Sequence, residues 1–470
     1  MDKAPWIGLI GLGTMGAALA LNMAEKGWPV AVHNRTESVT QQFLKTAGPL
    51  ASKLTGAPTL QALVDALTPP RAIILMVPAG EVVDQQIAAL APLLDPGDLI
   101  IDAGNANYLD TERRFHDSRG AGYDFMGIGV SGGEEGARHG PSIMAGGEAR
   151  QWQRVGPLLR SIAARFQDEP CAALLGPGGA GHFVKMVHNG IEYADMQMIA
   201  ETYAIMRDGL GLDAPRIADI FAGWNGGPLE SYLIEISAEV LRAVDPLTGQ
   251  PMPDVILDVA GQKGTGRWTA IEAQKLGVAI PVIEAAVAAR NISARPEARA
   301  RGAQTFGALP QRLPPDALPA ADLEQALIAG KILCYAQGFE MMTASSTEFG
   351  WNLPLPVIAE IWRAGCIIRS AMLNDMAEAL RNSPDDDLIF APFFSAKLIH
   401  AEPALRRVVA AAMQAGIAVP ALSAGLSWFD AMRTPRGSAN LIQAQRDFFG
   451  AHGFVRIDGQ DVPHGPWGAG

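Results

Sequence analysis

The chain has few of the features that mark a disulfide-bonded, membrane or nucleic-acid-binding protein. Its 470 residues include three cysteines, Cys171, Cys334 and Cys366, and none of them forms a CxxC pair. Neither a disulfide framework nor a zinc site is therefore favoured, and we expect buried, inert thiols. No apolar run approaches the ~20 residues of a membrane span. The net charge of −12 disfavours nonspecific binding to nucleic acid.

The N-terminus also lacks the basic and apolar regions of a secretion signal. Met1–Trp6 holds one lysine and leads straight into a strand pattern, so we expect a cytoplasmic protein. Glycine and proline are spread along the chain and form no low-complexity block. The chain is long enough for two or three domains with cores of their own.

What the first third does contain is an alternation of short apolar runs with longer segments of helical spacing. The short runs are Ile7–Ile10, Val30–Val32, Ile73–Val77, Leu99–Ile101 and Phe125–Val130. This alternation predicts a Rossmann-type α/β domain with a doubly wound parallel sheet. After about residue 179 the strand patterns stop and long helical segments follow, which predicts a large all-α domain.

The last segment has a different composition again, because it ends in glycine- and proline-rich sequence that cannot form a core alone. We therefore predict a dinucleotide-binding domain in residues 1–178, an all-α domain in 179–436 and a tail in 437–470. Two short echoes occur within the helical part. Ile217–Phe221 resembles Ile358–Trp362, and Asn189–Glu192 resembles Gln337–Glu340. They indicate a duplicated helical unit, unless the similarity is chance.

The strongest local motif is Gly11-Leu12-Gly13-Thr14-Met15-Gly16, a GxGxxG sequence between an apolar strand and a helix. In that βαβ context Gly11 allows a tight turn, Gly13 lets the backbone approach a pyrophosphate, and Gly16 lets helix and strand pack. The motif predicts a dinucleotide site, and a purely structural glycine turn is the alternative.

The end of the second strand indicates which dinucleotide is bound. An NAD enzyme places Asp or Glu there, whereas this chain has Asn34-Arg35-Thr36. An arginine pairs with the 2′-phosphate that a carboxylate would repel, so we predict NADP. A plain surface arginine remains the alternative.

A second informative segment is Lys185–Glu192. On a helix, Lys185, His188, Asn189 and Glu192 would share one stripe, with the Lys and Glu backbones roughly 10 Å apart. This spacing lets the two side chains flank one small molecule, and the glycine-rich stretch 176–181 before it is expected to let a ligand come close. The alternative is a solvated helix face with an ion pair.

Several longer motifs are distributed along the chain: Ile128–Ala137, Gly140–Met144, Gly179–His182 leading into Lys185–Tyr193, Gly261–Trp268, Asn440–Asp447 and Gly450–His452. Together they resemble the 6-phosphogluconate dehydrogenase family of the β-hydroxyacid dehydrogenase superfamily, over essentially the whole chain. The resemblance implies an NADP-dependent oxidative decarboxylation of 6-phosphogluconate to ribulose 5-phosphate and CO2, in the pentose phosphate pathway. It also implies a homodimer in which the tail inserts into the partner subunit.

The resemblance assigns Lys185 as the base at the 3-hydroxyl and Glu192 as the acid that protonates C1 of the enediol, with no metal. It places at the sugar acid Asn105, Ser131, Gly132, Gly133, His188 and Asn189, and around the phosphate Tyr193, Lys263, Thr265 and Arg290. Arg446 and His452 would reach the same substrate from the other subunit. The implied cofactor-binding residues are Gly11, Leu12, Gly13, Thr14, Met15, Gly16, Asn34, Arg35, Thr36, Val77, Pro78, Ala79 and Asn105.

The chain departs from the family pattern at three places. Val77-Pro78-Ala79-Gly80 stands where the family often has Val-Lys-Ala-Gly, so we expect a backbone contact to the cofactor there and no lysine contact. Gly13-Thr14 replaces the commoner Ala-Val, and Ala145 stands where Pro is usual.

Two other functions are compatible with parts of the sequence. A related NADP-dependent β-hydroxyacid dehydrogenase acting on a different acid would resemble only the first 300 or so residues, and Lys263, Thr265, Arg446 and His452 favour a phosphorylated substrate. A catalytically silent NADP-binding sensor would be expected to lose Lys185 or Glu192, and both are present.

Overall fold

A mixed eight-stranded sheet forms the N-terminal part of the computed structural model, which describes residues 4–309, 312–314, 316–384 and 386–467. Its strands are β1 (Ile7–Ile10), β2 (Val30–His33), β3 (Leu54–Gly56), β4 (Ala72–Leu75), β5 (Leu99–Asp102), β6 (Asp124–Val130), β7 (Ile143–Gly146) and β10 (Ala172–Gly176). They lie in the order β10-β7-β6-β5-β4-β1-β2-β3. A separate small hairpin pairs β8 (Arg165–Phe166) with β9 (Glu169–Pro170).

The predicted fold class is confirmed, but the sheet is not wholly parallel. The first six strands run in one direction, β7 pairs antiparallel with β6, and β10 then runs parallel to β7. The reversal follows from the connection after β6, which is one short helix and lets the chain return beside the strand it has left. Sequence patterns predicted only β1, β2, β4, β5 and β6. The edge strand β3 is missed because Leu-Thr-Gly has a single apolar residue.

Helices cover both faces of the sheet, so each face has an apolar core of its own. The central strands are therefore buried along their whole length. These helices are α1 (Thr14–Glu25), α2 (Glu37–Thr46), α3 (Leu60–Asp65), α4 (Glu81–Leu90), α5 (Tyr108–Ala121), α6 (Gly133–His139) and α7 (Ala149–Ile162). Short 3-10 turns follow α2 at Gly48–Lys53 and α4 at Ala91–Leu93.

The rest of the described chain is helical and has one large core of its own. The helices are α8 (Ala180–Ala204), α9 (Ala214–Trp224), α10 (Tyr232–Arg242), α11 (Met252–Val255), α12 (Thr265–Leu276), α13 (Pro281–Ser293), α14 (Pro296–Phe306), α15 (Ala320–Phe349), α16 (Leu355–Ile361), α17 (Met372–Asn382), α18 (Pro392–Gln414), α19 (Pro420–Met432) and α20 (Ala439–Gly450). The division into 1–178, 179–436 and 437–470 stays a prediction.

The two sequence echoes lie at matching places in two runs of helices. Asn189–Glu192 and Gln337–Glu340 lie in the long helices α8 and α15, which pack on each other. Ile217–Phe221 lies in α9, and Ile358–Trp362 lies at α16. A backbone bridge between Ser231 and Ser370 joins the start of α10 to the segment before α17. This arrangement supports a duplicated helical unit.

The expected buried thiols are present, since Cys171, Cys334 and Cys366 are free and buried, and burial raises the pKa of each. Within the described ranges, no helix combines the length and apolar character needed to cross a bilayer.

The first turn of α8 lies directly on β7, and glycine makes the approach possible. A Cβ on Gly181 would lie 2.5 Å from both the Gly146 nitrogen and the Met144 oxygen, which are backbone atoms that cannot rotate away. Gly181 therefore lets the long helix of the second core rest against the sheet of the first.

We predict that Gly181→Ala lowers the free energy of unfolding by about 1–3 kcal/mol, because the added methyl forces helix and strand apart. Gly223→Ala is the matched control, since a Cβ there meets nothing within 4 Å near the end of α9. The control should stabilise by about 0.5–1 kcal/mol through the lost freedom of the unfolded chain. Denaturant unfolding measures both, and an unchanged midpoint for Gly181→Ala would contradict the close contact.

Candidate active site

The glycine motif forms a tight turn between β1 and α1. Gly11 has φ +98° and its N–H donates to the His33 carbonyl at 3.0 Å. A Cβ on Gly16 would collide with the carbonyl oxygen of Gly11, whereas a Cβ on Gly13 would meet no atom within 4 Å. The first and third glycines are thus required by the protein's own packing. The middle one borders open space before a helix N-terminus, which fits a pyrophosphate.

The β2–α2 turn borders this motif. The Asn34 side chain accepts a hydrogen bond from the Leu12 N–H at 3.1 Å, so it ties the turn after β2 to the glycine turn. Arg35 and Thr36 are exposed. Asn34 thus has a structural contact, while the Arg35 guanidinium stays available to a ligand at the crevice.

Two more turns with predicted cofactor residues lie at the same edge of the sheet. The order of strands reverses between β1 and β4, and ligands of such sheets bind beyond the carboxyl ends of the strands at that point. Val77 follows β4 and is half-buried, Pro78 and Ala79 are exposed, and Asn105 is exposed after β5. The structure therefore brings these positions to one crevice with the glycine motif.

Helix α8 packs closely on β6 at two glycines of that strand. A Cβ on Gly129 would collide with the Lys185 side chain, and a Cβ on Gly127 would lie 2.7 Å from the His182 ring. The stem of Lys185 therefore passes over bare strand backbone. This close packing places its amine beside the loop that follows β6.

The predicted polar stripe of α8 is confirmed as a cluster and is buried. The Lys185 Nζ donates to Ser131 Oγ at 3.0 Å and to Asn189 Oδ1 at 2.8 Å. His188 Nδ1 lies 3.3 Å from that Nζ and 3.9 Å from Glu192 Oε2. Lys185 is 6% exposed and His188 is fully buried. The alternative of a solvated helix face is therefore wrong.

Burial moves the protonation of the lysine and the carboxyl group in opposite directions. Desolvation lowers the pKa of Lys185, partly opposed by the charge of Glu192. Desolvation raises the pKa of Glu192, partly opposed by Lys185 and Arg290. The pKa of His188 is well below its usual value because the ring is buried next to Lys185. Burial thus shifts the amine toward its neutral form and the carboxyl group toward its protonated form, the directions that a base and an acid require.

The neutral ring of His188 completes the hydrogen-bond pattern. Its Nδ1 is 3.1 Å from Asn189 Oδ1, and its Nε2 is 3.3 Å from Ser131 Oγ. Both contacts are satisfied when Nδ1 carries the proton and Nε2 accepts from the serine hydroxyl. Ser131 can then accept from Lys185 and donate to His188 at once.

The wall opposite α8 comes from a segment after α16 that sequence reasoning did not include. The Trp362 ring is fully buried 5.6 Å from the His188 ring. The Gly365 carbonyl accepts from the Ser142 N–H at 2.7 Å and lies where a Cβ on Gly132 would be. Burial raises the pKa of the Cys366 thiol to about 12, partly opposed by the charge of Lys185. The sequence feature that includes Trp362 is the similarity of Ile358–Trp362 to Ile217–Phe221, which indicates a repeat and not a place in the site.

A second cluster holds part of the predicted phosphate site. The Arg290 guanidinium stacks on the Tyr193 ring at 3.7 Å, and its Nη1 donates to the Gly261 carbonyl at 3.0 Å. Thr265 is the first residue of α12. The Tyr193 ring packs directly on the backbone of Gly266, in the space that a Cβ would need. Lys263 is exposed in the loop between Gly261 and Thr265. These four predicted residues therefore lie on neighbouring segments.

The tail residues are not joined to either cluster. Arg446 donates to Gln443, and the His452 ring contacts Phe449. Across the part of the chain that the structure describes, the hydrogen bonds of residues 438–467 all run within that segment. Its hub is Asp447, whose pKa is held below its usual range by hydrogen bonds from the Gly465 N–H, His464 and other donors.

The glycine-rich stretch before α8 was expected to let a ligand approach, and this expectation is wrong. A Cβ on Gly179 would lie 2.6 Å from the Tyr108 carbonyl, and one on Gly178 would collide with Glu112. The Glu112 carboxylate also accepts the Gly179 N–H at 2.7 Å. Protein atoms occupy the space, so these two glycines serve close packing of the segment before α8 against α5. Among the described residues no cluster of three or more His, Cys, Asp or Glu could hold a metal ion.

Comparison with known families agrees with this geometry. Residues 6–176 match the NAD binding domain of 6-phosphogluconate dehydrogenase, and residues 181–467 match the C-terminal domain of the same enzyme. The chain belongs to the 6-phosphogluconate dehydrogenase family. The family resemblance read from the motifs is thereby confirmed.

Members of the 6-phosphogluconate dehydrogenase family match over nearly the full length. A Bacillus subtilis protein named as NAD(+)-dependent and decarboxylating is 48% identical over 98% of this chain and 99% of its own. Another from the same organism, named as NADP(+)-dependent and decarboxylating, is 45% identical over 98% of each. The solved Plasmodium falciparum 6-phosphogluconate dehydrogenase, described apo, with NADP+ and with 6-phosphogluconate, has a TM-score of 0.94. It is 40% identical and covers 98% of this chain and 100% of that one.

Proposed function

We propose that this chain oxidises 6-phosphogluconate at C3 and decarboxylates it to ribulose 5-phosphate and CO2, as a cytoplasmic enzyme of the pentose phosphate pathway. The observation that carries the proposal is the buried Lys185 amine beside the dinucleotide crevice. The His188 ring lies next to both this amine and the Glu192 carboxyl group. The near full-length similarity to decarboxylating 6-phosphogluconate dehydrogenases supports the same substrate.

Lys185 is the base of this mechanism. Its lowered pKa leaves the amine able to take the 3-hydroxyl proton as the hydride leaves C3, and NADP, when bound, supplies the hydride acceptor. The resulting lysine ammonium, held by Ser131 and Asn189, then returns the proton to the oxygen and stabilises the enolate as CO2 departs.

Glu192 is the acid. Burial raises the pKa of the carboxyl group and so favours the protonated form, which donates its proton to C1 of the enediol in this mechanism. Ser131 and His188 fix the position of the lysine, and the neutral imidazole adds no competing charge. We assign Asn105, Gly132 and Gly133 to the sugar acid, and Tyr193, Lys263, Thr265 and Arg290 to its phosphate.

We predict that Lys185→Met and Glu192→Gln each lower turnover of 6-phosphogluconate by about 100- to 10,000-fold, the usual contribution of a general acid or base. Absorbance at 340 nm follows reduction of the cofactor. Glu201→Gln is the matched control, because Glu201 is buried on the same helix and bonds to the start of α19. Normal turnover in Lys185→Met would overturn the assigned roles. An inactive wild type would favour the alternative function of an NADP-binding sensor.

NADP is the proposed cofactor because Arg35 stands exposed where a carboxylate would select NAD. Pro78 offers no cation at the turn after β4, so Arg35 would carry most of the attraction for the 2′-phosphate. The Bacillus subtilis relatives bear both NAD and NADP names, so family membership leaves the preference open.

We predict that Arg35→Ala raises the KM for NADP by about tenfold, the value of one charge-assisted hydrogen bond, and leaves the KM for NAD unchanged. Arg35→Lys should keep most of the preference because it keeps the charge. Steady-state titration of both cofactors measures the ratio. An equal effect on NADP and NAD would show that Arg35 does not contact the 2′-phosphate.

We further propose a homodimer in which the tail of each chain completes the site of the other. The tail exposes large apolar side chains: 73% of Phe449, 96% of Val455 and 95% of Ile457 are accessible. Such a surface is typical of an interface. Arg446 and His452 contact only tail residues within the described chain, as expected if their ligand is bound by another subunit.

Complementation tests the shared site. We predict that Lys185→Met and Arg446→Ala homodimers are each nearly inactive, and that mixed dimers regain about half of wild-type activity, because one of their two sites is intact. In a mixed dimer, the chain with an intact Lys185 receives the intact Arg446 of its partner. The measurement is turnover after co-expression with two purification tags, with co-expressed wild-type chains as the control. No recovery would place each tail at its own site.

A further inference from the structure

One buried arginine on α5 has no part in the chemistry described above. Arg114 has 2% of its side chain exposed and uses all of its guanidinium nitrogens as donors. Its Nε and Nη2 donate to the two oxygens of Asp84, each at 2.9 Å. Its Nη2 also donates to the Gly80 carbonyl at 2.9 Å, and its Nη1 donates to Asp102 Oδ2 at 3.3 Å.

Two of these acceptors, Gly80 and Asp102, border turns of the backbone, and the third, Asp84, lies in the first turn of α4. Gly80 ends the turn between β4 and α4, with φ +95°. Asp102 ends β5, and its Oδ1 accepts the Gly104 N–H at 3.1 Å in the turn that follows. The turns also touch, since a Cβ on Gly104 would lie 3.1 Å from the Val77 carbonyl. One side chain therefore holds both turns against each other.

A buried ion pair is a poor means of stabilising a fold, because removing two charges from water offsets most of their attraction. Asp102 is fully buried, so this cost is present here. A guanidinium has fixed directions for its donors, however, and can set the relative positions of the groups that accept from it. The arrangement is thus suited to geometry more than to stability.

We propose that Arg114 is a positioning residue that fixes the two turns that follow β4 and β5 at the cofactor crevice. It acts through the backbone of Val77–Gly80 and of Asp102–Asn105 and touches neither cofactor nor substrate. The inference rests on the proposed function, because it presupposes a dinucleotide beyond the ends of β4 and β5.

The test compares Arg114→Met with Arg113→Met. Arg113 is the adjacent residue and binds the same Asp84 carboxylate at 2.8 Å, but it is half-exposed and its ion pairs all lie on the surface. We expect Arg114→Met to raise the NADPH dissociation constant, measured by fluorescence without substrate, by about tenfold or more. Arg113→Met should change it less than twofold.

A second variant separates positioning from folding. Arg114→Met leaves the buried Asp102 without its cation, so the double variant Arg114→Met/Asp102→Asn removes that charge as well. It should recover a thermal midpoint near that of wild type and still bind NADPH weakly. Arg114→Lys, which keeps the charge but reaches fewer acceptors, should lie between wild type and Arg114→Met in NADPH affinity.

The outcomes are distinct. A folded double variant that binds NADPH as wild type does overturns the positioning role alone, as does an Arg113→Met effect of equal size. A lower kcat with an unchanged NADPH dissociation constant also overturns it, since that pattern reflects loss of active molecules. Wild type that binds no NADPH overturns the proposed function, and this inference with it.

Discussion

Removal of the Lys185 amine from water is the constraint on which the rest of the site depends. A buried amine is costly in its charged form, and its hydrogen bonds to Ser131 and Asn189 offset only part of that cost. The same burial lowers the pKa of the amine and so moves it toward its neutral form. Water must therefore be excluded from every side of the lysine. The sheet, α8 and the segment after α16 all contribute to that exclusion.

The enclosure is built with glycine at the points of contact. Gly129 on β6 admits the Lys185 stem, Gly181 lets α8 lie on β7, and Gly132 leaves room for the carbonyl of Gly365. Each replaces a side chain with bare backbone, so two elements approach more closely than ordinary packing allows. These glycines cost conformational entropy, and they let the sheet and the helices enclose the Lys185 side chain.

The substrate end of the site is more open than the catalytic centre. Tyr193 and Arg290 are locked in a stack, whereas Lys263 is exposed, and Arg446 and His452 lie on a tail bonded only to itself within the described residues. The proposed phosphate-binding residues thus come from several segments, and several of them are more exposed than the buried cluster around Lys185. This arrangement explains why an acidic chain can bind a doubly charged anion, because the basic groups are gathered locally.

Sequence alone determined the alternation of strands and helices, the glycine turn, the order of domains and the Lys185–Glu192 stripe, because each is a local pattern read at a fixed period. It could not determine what lies opposite that stripe. Trp362, Cys366 and the Arg114 contacts join residues far apart in the chain, and the reversal of β7 and β10 depends on how the chain returns to the sheet. Local periodicity contains no information on such pairings. Only the tertiary structure decided that the stripe is buried, and burial is what alters the two pKa values that the chemistry requires.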